Sequence, residues 1–255
     1  MEPSINLNIL LIEDNPGDAF LIKFYLEESV LKYARLLHAE YLNTALDLLQ
    51  NNEFDVILLD LNLPDSKGIE TLEAVLDAAQ GSVVIVLTGL NDEKLGLQTV
   101  KKGAQDFLVK GQFDGKVLTS SVRYAFERYQ LQKQVLSFSQ MLNDSISQFD
   151  TAQEVGEFGY WELNVKDNSM QWSSNLFSLL GEGDPKRETN LTTLLQIMPP
   201  DTAQQAQAQI TEAIKNESNI NFTFDLRGQK FACIAKPTKR NGSLQQVAGI
   251  IKKVG

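Results

Sequence analysis

Four apolar runs in the first half of this chain each deliver a polar side chain at their C-terminal end. Ile9 to Ile12 lead into Glu13 and Asp14, and Val56 to Leu59 lead into Asp60. "SVVIVLT" ends at Thr88, and "DFLVK" ends at Lys110. Runs this apolar read as strands buried on both faces. An unpaired buried charge is among the costliest things a core can hold. Four such endings in series therefore point to one shared site at one edge of a sheet.

The spacing between the runs supports that geometry. Strands are predicted near 7–13, 34–39, 55–60, 82–88 and 106–109, with helices near 16–30, 42–51, 67–78, 91–102 and from 114 onward. Strand and helix alternating on this spacing imply βαβ units, a parallel sheet and helices on both of its faces. Ligands of such sheets bind beyond the carboxyl ends of the strands, where the strand order reverses.

The last helix runs on. Between Lys116 and Phe149 there is no Pro or Gly, and two apolar stripes succeed each other. Leu118, Val122, Ala125 and Tyr129 form the first, suited to packing on the sheet. Leu131, Val135, Phe138, Leu142, Ser145 and Phe149 form a second, shifted in phase. The second stripe reads as a dimerising coiled-coil seam or, alternatively, as the face of a lone helix packed against a second domain. After Asp150 the texture becomes that of a small α+β domain. "GEFGYWELNV", "NSMQWSSN" and runs near 220–226, 229–237 and 244–253 read as antiparallel strands, with helical segments between them. The expected organisation is a first domain over 1–128, a connecting helix over 116–150 and a second domain over 151–255.

Charge narrows the function classes. Residues 1–128 carry 11 Lys and Arg against 20 Asp and Glu, whereas residues 129–255 carry 12 against 13. An acidic first domain disfavours binding to phosphate backbones and favours a site that concentrates divalent cations. Direct DNA binding is not expected. No stretch approaches the ~20 apolar residues of a membrane span, and Met1 to Ile12 lacks the basic start of a signal peptide. Cys233 is the only cysteine, which fits a reducing compartment. The expected location is the cytoplasm. The one histidine, His38, lies in "ARLLHAE" and reads as a strand residue, not a metal ligand or a phosphoacceptor.

If Glu13, Asp14 and Asp60 converge, their mutual repulsion pushes carboxylate pKa values upward. A hard divalent cation relieves it, and Mg²⁺, held by one or two carboxylates with waters and phosphate oxygens, fits best. A carboxylate beside such a cation is a nucleophile towards phosphorus. Phosphoryl transfer then asks for charge stabilisation on the equatorial oxygens, which Lys110 and Thr88 are equipped to supply.

"LLIEDN", "ILLDLNLPDSKGIE", "VLTGLND" and "DFLVKG" resemble the response-regulator receiver domain of two-component signalling, across about residues 5–128. The resemblance implies a flavodoxin-like, doubly wound five-stranded parallel sheet. It implies Asp60 as phosphoacceptor, with Glu13, Asp14, Asp60 and the main-chain carbonyl of Asn62 holding Mg²⁺. By the same resemblance Thr88 and Lys110 contact the phosphoryl group, Gly68 is the loop glycine, and Phe107 is the aromatic that reorients with Thr88 on activation. Receivers usually carry proline after the lysine; here Gly111 is expected to supply the unusual backbone angles instead.

The second half is similar to a PAS domain. Trp161, Trp172, Phe177, Phe222, Phe224 and Phe231 read there as packing rather than a ligand cage, and no organic cofactor is expected. The implied protein is a phosphorelay response regulator with no turnover beyond gaining and losing a phosphoryl group at Asp60. Its implied partners are a sensor histidine kinase or phosphotransfer protein and a second copy of itself. No output module is visible, so it is expected to be either part of a longer protein or an adaptor. Two alternatives are a haloacid-dehalogenase-type phosphatase and a phosphorylation-independent scaffold. The phosphatase mechanism wants a second Asp two residues after the nucleophile, where this chain has Asn62.

Overall fold

A computed structural model gives the fold and describes residues 6–29, 31, 33–79, 81–89, 93–182, 188–240 and 243–254. The Leu90–Asp92 end of "VLTGLND" and the predicted start of the next helix lie outside the described residues. The chain divides into two compact units between Phe138 and Ser139, about ten residues later than the predicted end of the first domain.

The first unit alternates strand and helix. Its elements are β1 (Leu7–Ile12), α1 (Pro16–Glu27), β2 (Tyr33–Ala39), α2 (Leu42–Asn51), β3 (Val56–Asp60), β4 (Asn62–Leu63), β5 (Ser66–Lys67), α3 (Ile69–Ala78), β6 (Val83–Thr88), α4 (Glu93–Lys102), β7 (Asp106–Val109) and α5 (Gly115–Val155). The five long strands form one parallel sheet in the order β2-β1-β3-β6-β7, the flavodoxin-like arrangement. The apolar runs do not alternate because both faces are covered. Leu10, Ile12, Ile57, Leu59, Val84 and Val86 pack with Ala45, Leu72 and Val75 from α2 and α3. Their neighbours Ile9, Leu11, Val56, Leu58, Ile85 and Leu87 pack with Ala19, Ile22 and Leu26 from α1 and with Leu118, Val122 and Ala125 from α5. The first α5 stripe is thus buried on the sheet, as the sequence predicts.

One short hairpin is absent from the sequence reading. Asn62 and Leu63 pair antiparallel with Lys67 and Ser66 directly after Asp60. Asp65, at its tip, accepts hydrogen bonds from the N–H groups of Leu42 (2.8 Å) and Asn43 (3.0 Å). These bonds cap α2, whose own N-cap residue Tyr41 contributes no side-chain bond. They hold the Asp65 carboxyl below its ordinary range, Asn43 contributing most.

The second unit contains the end of α5, then β8 (Phe158–Asn164), β9 (Ser169–Trp172), α6 (Ser174–Leu180), β10 (Thr189–Asn190), α7 (Leu191–Ile197), α8 (Pro200–Asn216), β11 (Ile220–Leu226), β12 (Gln229–Arg240) and β13 (Ser243–Val254). Its six strands form an antiparallel sheet in the order β10-β9-β8-β13-β12-β11. Here burial alternates along β8 and β11, since the helices cover one face. Trp161, Phe222, Phe224 and Phe231 are buried in this core, with Trp172 packed against it and the buried Phe177 ring 5.1 Å from that of Trp172. Burial pushes the Cys233 thiol, beside Trp161, up to about 12, so it stays protonated.

The second α5 stripe behaves differently from the first. Leu131, Val135, Phe138 and Leu142 are each 61–68% exposed. Phe149 instead meets Phe158 and Tyr160 of β8 edge-on, at centroid distances of 6.3 and 5.8 Å. The packing of Phe149 fits the reading of a helix face laid on the second domain, while the stripe from Leu131 to Leu142 is left exposed. The helix also outlasts its predicted end at 150, stopping at Val155 just before Gly156.

At Gly159 β8 passes close against Leu176 of α6. A β-carbon there would fall inside the van der Waals shell of the Leu176 main chain. Gly159→Ala should cost this unit about 3 kcal/mol, because the backbone has to shift to admit one methyl. Urea unfolding followed by tryptophan fluorescence reads this unit alone, since both tryptophans, Trp161 and Trp172, lie in it. A loss under about 0.5 kcal/mol, the range of a neutral surface substitution, would contradict the close packing.

Candidate functional site

β1 ends at the point where the strand order reverses, and the chain turns there into α1. Asn15 caps that helix, its Oδ1 accepting from the N–H groups of Gly17 (2.9 Å) and Asp18 (3.2 Å), with Pro16 at the first helical position. The turn leaves Glu13 fully buried, with Oε1 accepting from the Asn15 N–H at 3.2 Å. Asp60 arrives on the neighbouring strand and is 6% exposed; its Oδ1 accepts from the Asn62 N–H at 2.9 Å. Glu13, Asp14 and Asp60 each offer a carboxylate oxygen within 4.8 Å of the others. The sequence-predicted acids do converge.

Lys110 comes directly after β7, and its N–H donates to the Thr88 carbonyl at 2.7 Å, tying the ends of β6 and β7 together. Its ammonium lies 2.5 Å from Asp60 Oδ2, 2.7 Å from Glu13 Oε2 and 3.1 Å from Asp18 Oδ2. Burial opposes the charge on Lys110, but the bonds to Asp60 and Glu13 outweigh it and raise its pKa above the usual lysine range. Burial pushes Glu13 up to about 7; Lys110 pulls against that shift and the Asp60 charge adds to it. One ammonium does not balance so many carboxylates. The residual negative charge and all-oxygen donor set fit a hard divalent cation such as Mg²⁺.

Thr88 ends β6, one residue beyond Leu87, the register partner of Asp60. It is 2% exposed, and its hydroxyl has no hydrogen-bond partner among the described residues. Such an orphan calls for an explanation, and an anionic oxygen arriving at Asp60 would supply one. Phe107 on β7 is half-buried, and its ring lies against Gly96 of α4, where a β-carbon would overlap it. Gly111 adopts φ +78°, which glycine accommodates without strain, and Gly68 adopts φ +67° ahead of α3. The expectation for the residue after Lys110 holds in its geometry.

Two neighbours escaped the sequence reading. His38 is a β2 residue as predicted, yet its ring also supports the site. Nε2 lies 2.8 Å from the Glu13 carbonyl and Nδ1 lies 3.1 Å from Lys23 Nζ. The carbonyl accepts and the ammonium donates, so the arrangement is that of a neutral ring with its proton on Nε2. Asp18 is the other. Its only sequence signal is a position one helical turn after Asp14, which reads equally as an acidic helix N-terminus.

Residues 9–123 match the family model of the response regulator receiver domain. The chain is 33% identical over 105 residues to the cell cycle transcriptional regulator CtrA of Caulobacter vibrioides, covering 41% of this chain and 44% of that one. It is 27% identical over 152 residues to the DNA-binding transcriptional regulator NtrC of Proteus hauseri, covering 58% of this chain and 31% of that one. Among solved structures it resembles the N-terminal signal receiver domain of a two-component system response regulator from Bacteroides fragilis. That match has 23% identity and a TM-score of 0.42, and covers 47% of this chain and 95% of the other. The chain thus spans less than half the length of these two curated relatives.

Proposed function

We propose that residues 9–123, which match the response regulator receiver domain, act as a receiver switched by Mg²⁺-dependent phosphorylation of Asp60. The observation that carries this reading is the contact of Lys110 with both Asp60 and Glu13, beside the orphaned hydroxyl of Thr88. Mg²⁺, held by Glu13, Asp14, Asp60 and the Asn62 carbonyl, would neutralise charge on the phosphoryl oxygens. The protein's own groups do the rest. A carboxylate oxygen of Asp60 attacks phosphorus as the donor's bond to phosphorus breaks, releasing an imidazole nitrogen from a phosphohistidine or an acetate oxygen from acetyl phosphate. Lys110 passes an N–H bond from the carboxylate to a phosphoryl oxygen, and Thr88 donates to another. Phosphorylation adds roughly −1.5 to −2 charges. Thr88 drawn to that charge makes room for Phe107 to leave Gly96, which changes the surface formed by α4, β7 and α5.

The second unit, in this proposal, is a PAS domain. The strand order β9-β8-β13-β12-β11, three closing strands and helices on one face support it. The exposed α5 stripe supports a homodimer, so that a covalent event at Asp60 is read out as helix pairing. The phosphodonor would be a cytoplasmic sensor histidine kinase or phosphotransfer protein. Output would pass through the PAS domain to a partner or to a further module. Among the described residues no helix is long and apolar enough to cross a membrane.

Intact-mass measurement after incubation with acetyl phosphate and Mg²⁺ tests the reading. The wild type should gain one labile phosphoryl group and Asp60→Asn none. An unmodified wild type would leave a scaffold, and steady hydrolysis of many organic phosphates would indicate a phosphatase.

A further inference from the structure

Asp18 is the third carboxylate on the Lys110 ammonium, at 3.1 Å, and lies outside the trio whose oxygens could share one ion. Its backbone is fixed by the Asn15 cap, so the carboxylate is presented from the first turn of α1 by a locked loop. An ammonium has three N–H donors, and three carboxylates lie within 3.1 Å of this one: Asp60, which accepts a hydrogen bond from it, and Glu13 and Asp18, which pair with its charge. In the proposed reaction two of these carboxylates change. Asp60 becomes an acyl phosphate, and Glu13 turns to the cation. Asp18 is the carboxylate that keeps its ion pair throughout.

We propose that Asp18 is a positioning residue for Lys110, holding the ammonium at the pocket while Asp60 and Glu13 exchange partners. The inference rests on the receiver reading of the same pocket. Without Asp18 the four-carbon stem of Lys110 regains rotamers, and the ammonium must be recaptured for each transfer. The competing explanation is that an acid in the first turn simply favours α1 through its dipole. That role would act whether or not Lys110 were present.

A double-mutant cycle separates the two. Initial rates of Asp60 phosphorylation by acetyl phosphate with Mg²⁺ are measured by intact mass for wild type, Asp18→Asn, Lys110→Gln and the double variant, over incubations long enough for slow variants. Asp18→Asn should slow the reaction about three- to fivefold, the scale of a partly exposed ion pair. Asp18→Glu should recover at least half of that loss. In the Lys110→Gln background Asp18→Asn should change nothing further. A wild-type rate in Asp18→Asn, or an equal loss with and without Lys110, overturns the inference while leaving the receiver reading intact. A wild type that never gains mass overturns both.

Discussion

Lys110→Ala should destabilise the first unit by about 3 kcal/mol at pH 8 and slow phosphorylation of Asp60 about a hundredfold. The first figure comes from removing the cation held by Glu13, Asp60 and Asp18, which strands buried charge. The second comes from losing a preorganised donor to the phosphoryl oxygens. Hydrogen exchange of the β1 and β3 amides reads the stability locally, and intact mass reads the chemistry. Acidity should soften the first effect. Glu13 has a folded-state pKa of about 7, above the ordinary 4.5, so the native state keeps a proton that the unfolded chain releases. Its contribution therefore favours folding fully below pH 4.5 and is lost as pH rises through about 7. At pH 5 the protonated Glu13 leaves less charge stranded, and the variant should approach wild type. Mg²⁺ should also recover stability at pH 8, because a ligand of the native state alone stabilises it. A variant as stable as wild type at pH 8 without Mg²⁺ would contradict this electrostatic account.

Phe138→Glu combined with Leu142→Glu should convert a dimer into a monomer, raising the dissociation constant at least about a hundredfold. Each large apolar side chain taken from water contributes about 1.5–3 kcal/mol, while association costs an estimated 4–15 kcal/mol. Leu131, Val135, Phe138 and Leu142, all exposed on α5, supply enough when two copies meet. The flanking positions Gln132, Gln134, Ser139, Met141 and Gln148 are uncharged, so like charges do not oppose pairing of identical helices. Placing two glutamates in the seam removes two apolar contacts per copy and adds repulsion. Molar mass from light scattering gives the answer, with and without beryllofluoride as a phosphoryl mimic. A wild type that is monomeric in both conditions would sink the dimer. Glutamate at Leu118 or Val122 should instead unfold the first unit, because that part of α5 is buried on the sheet.

Much of this was legible in the linear chain because it is periodic or local. Strands buried on both faces must be continuous apolar runs, so β1, β3 and β6 announce themselves, and a polar residue at each end can only face the sheet's edge. Helix α5 is readable because nothing between Lys116 and Val155 breaks a helix. The two-residue strands β4, β5 and β10 carry no period at all, and only their pairing partners create them. Asp18 and Lys110 are separated by most of the first unit, and Gly96 and Phe107 by the rest of α4 and a turn. Those meetings depend on parallel register and on how α1 and α4 sit against the sheet. Local propensity dictates which residues form strands and helices. Long-range packing alone decides which acid reaches the lysine, which glycine admits the phenyl ring and which hydroxyl is left without a partner.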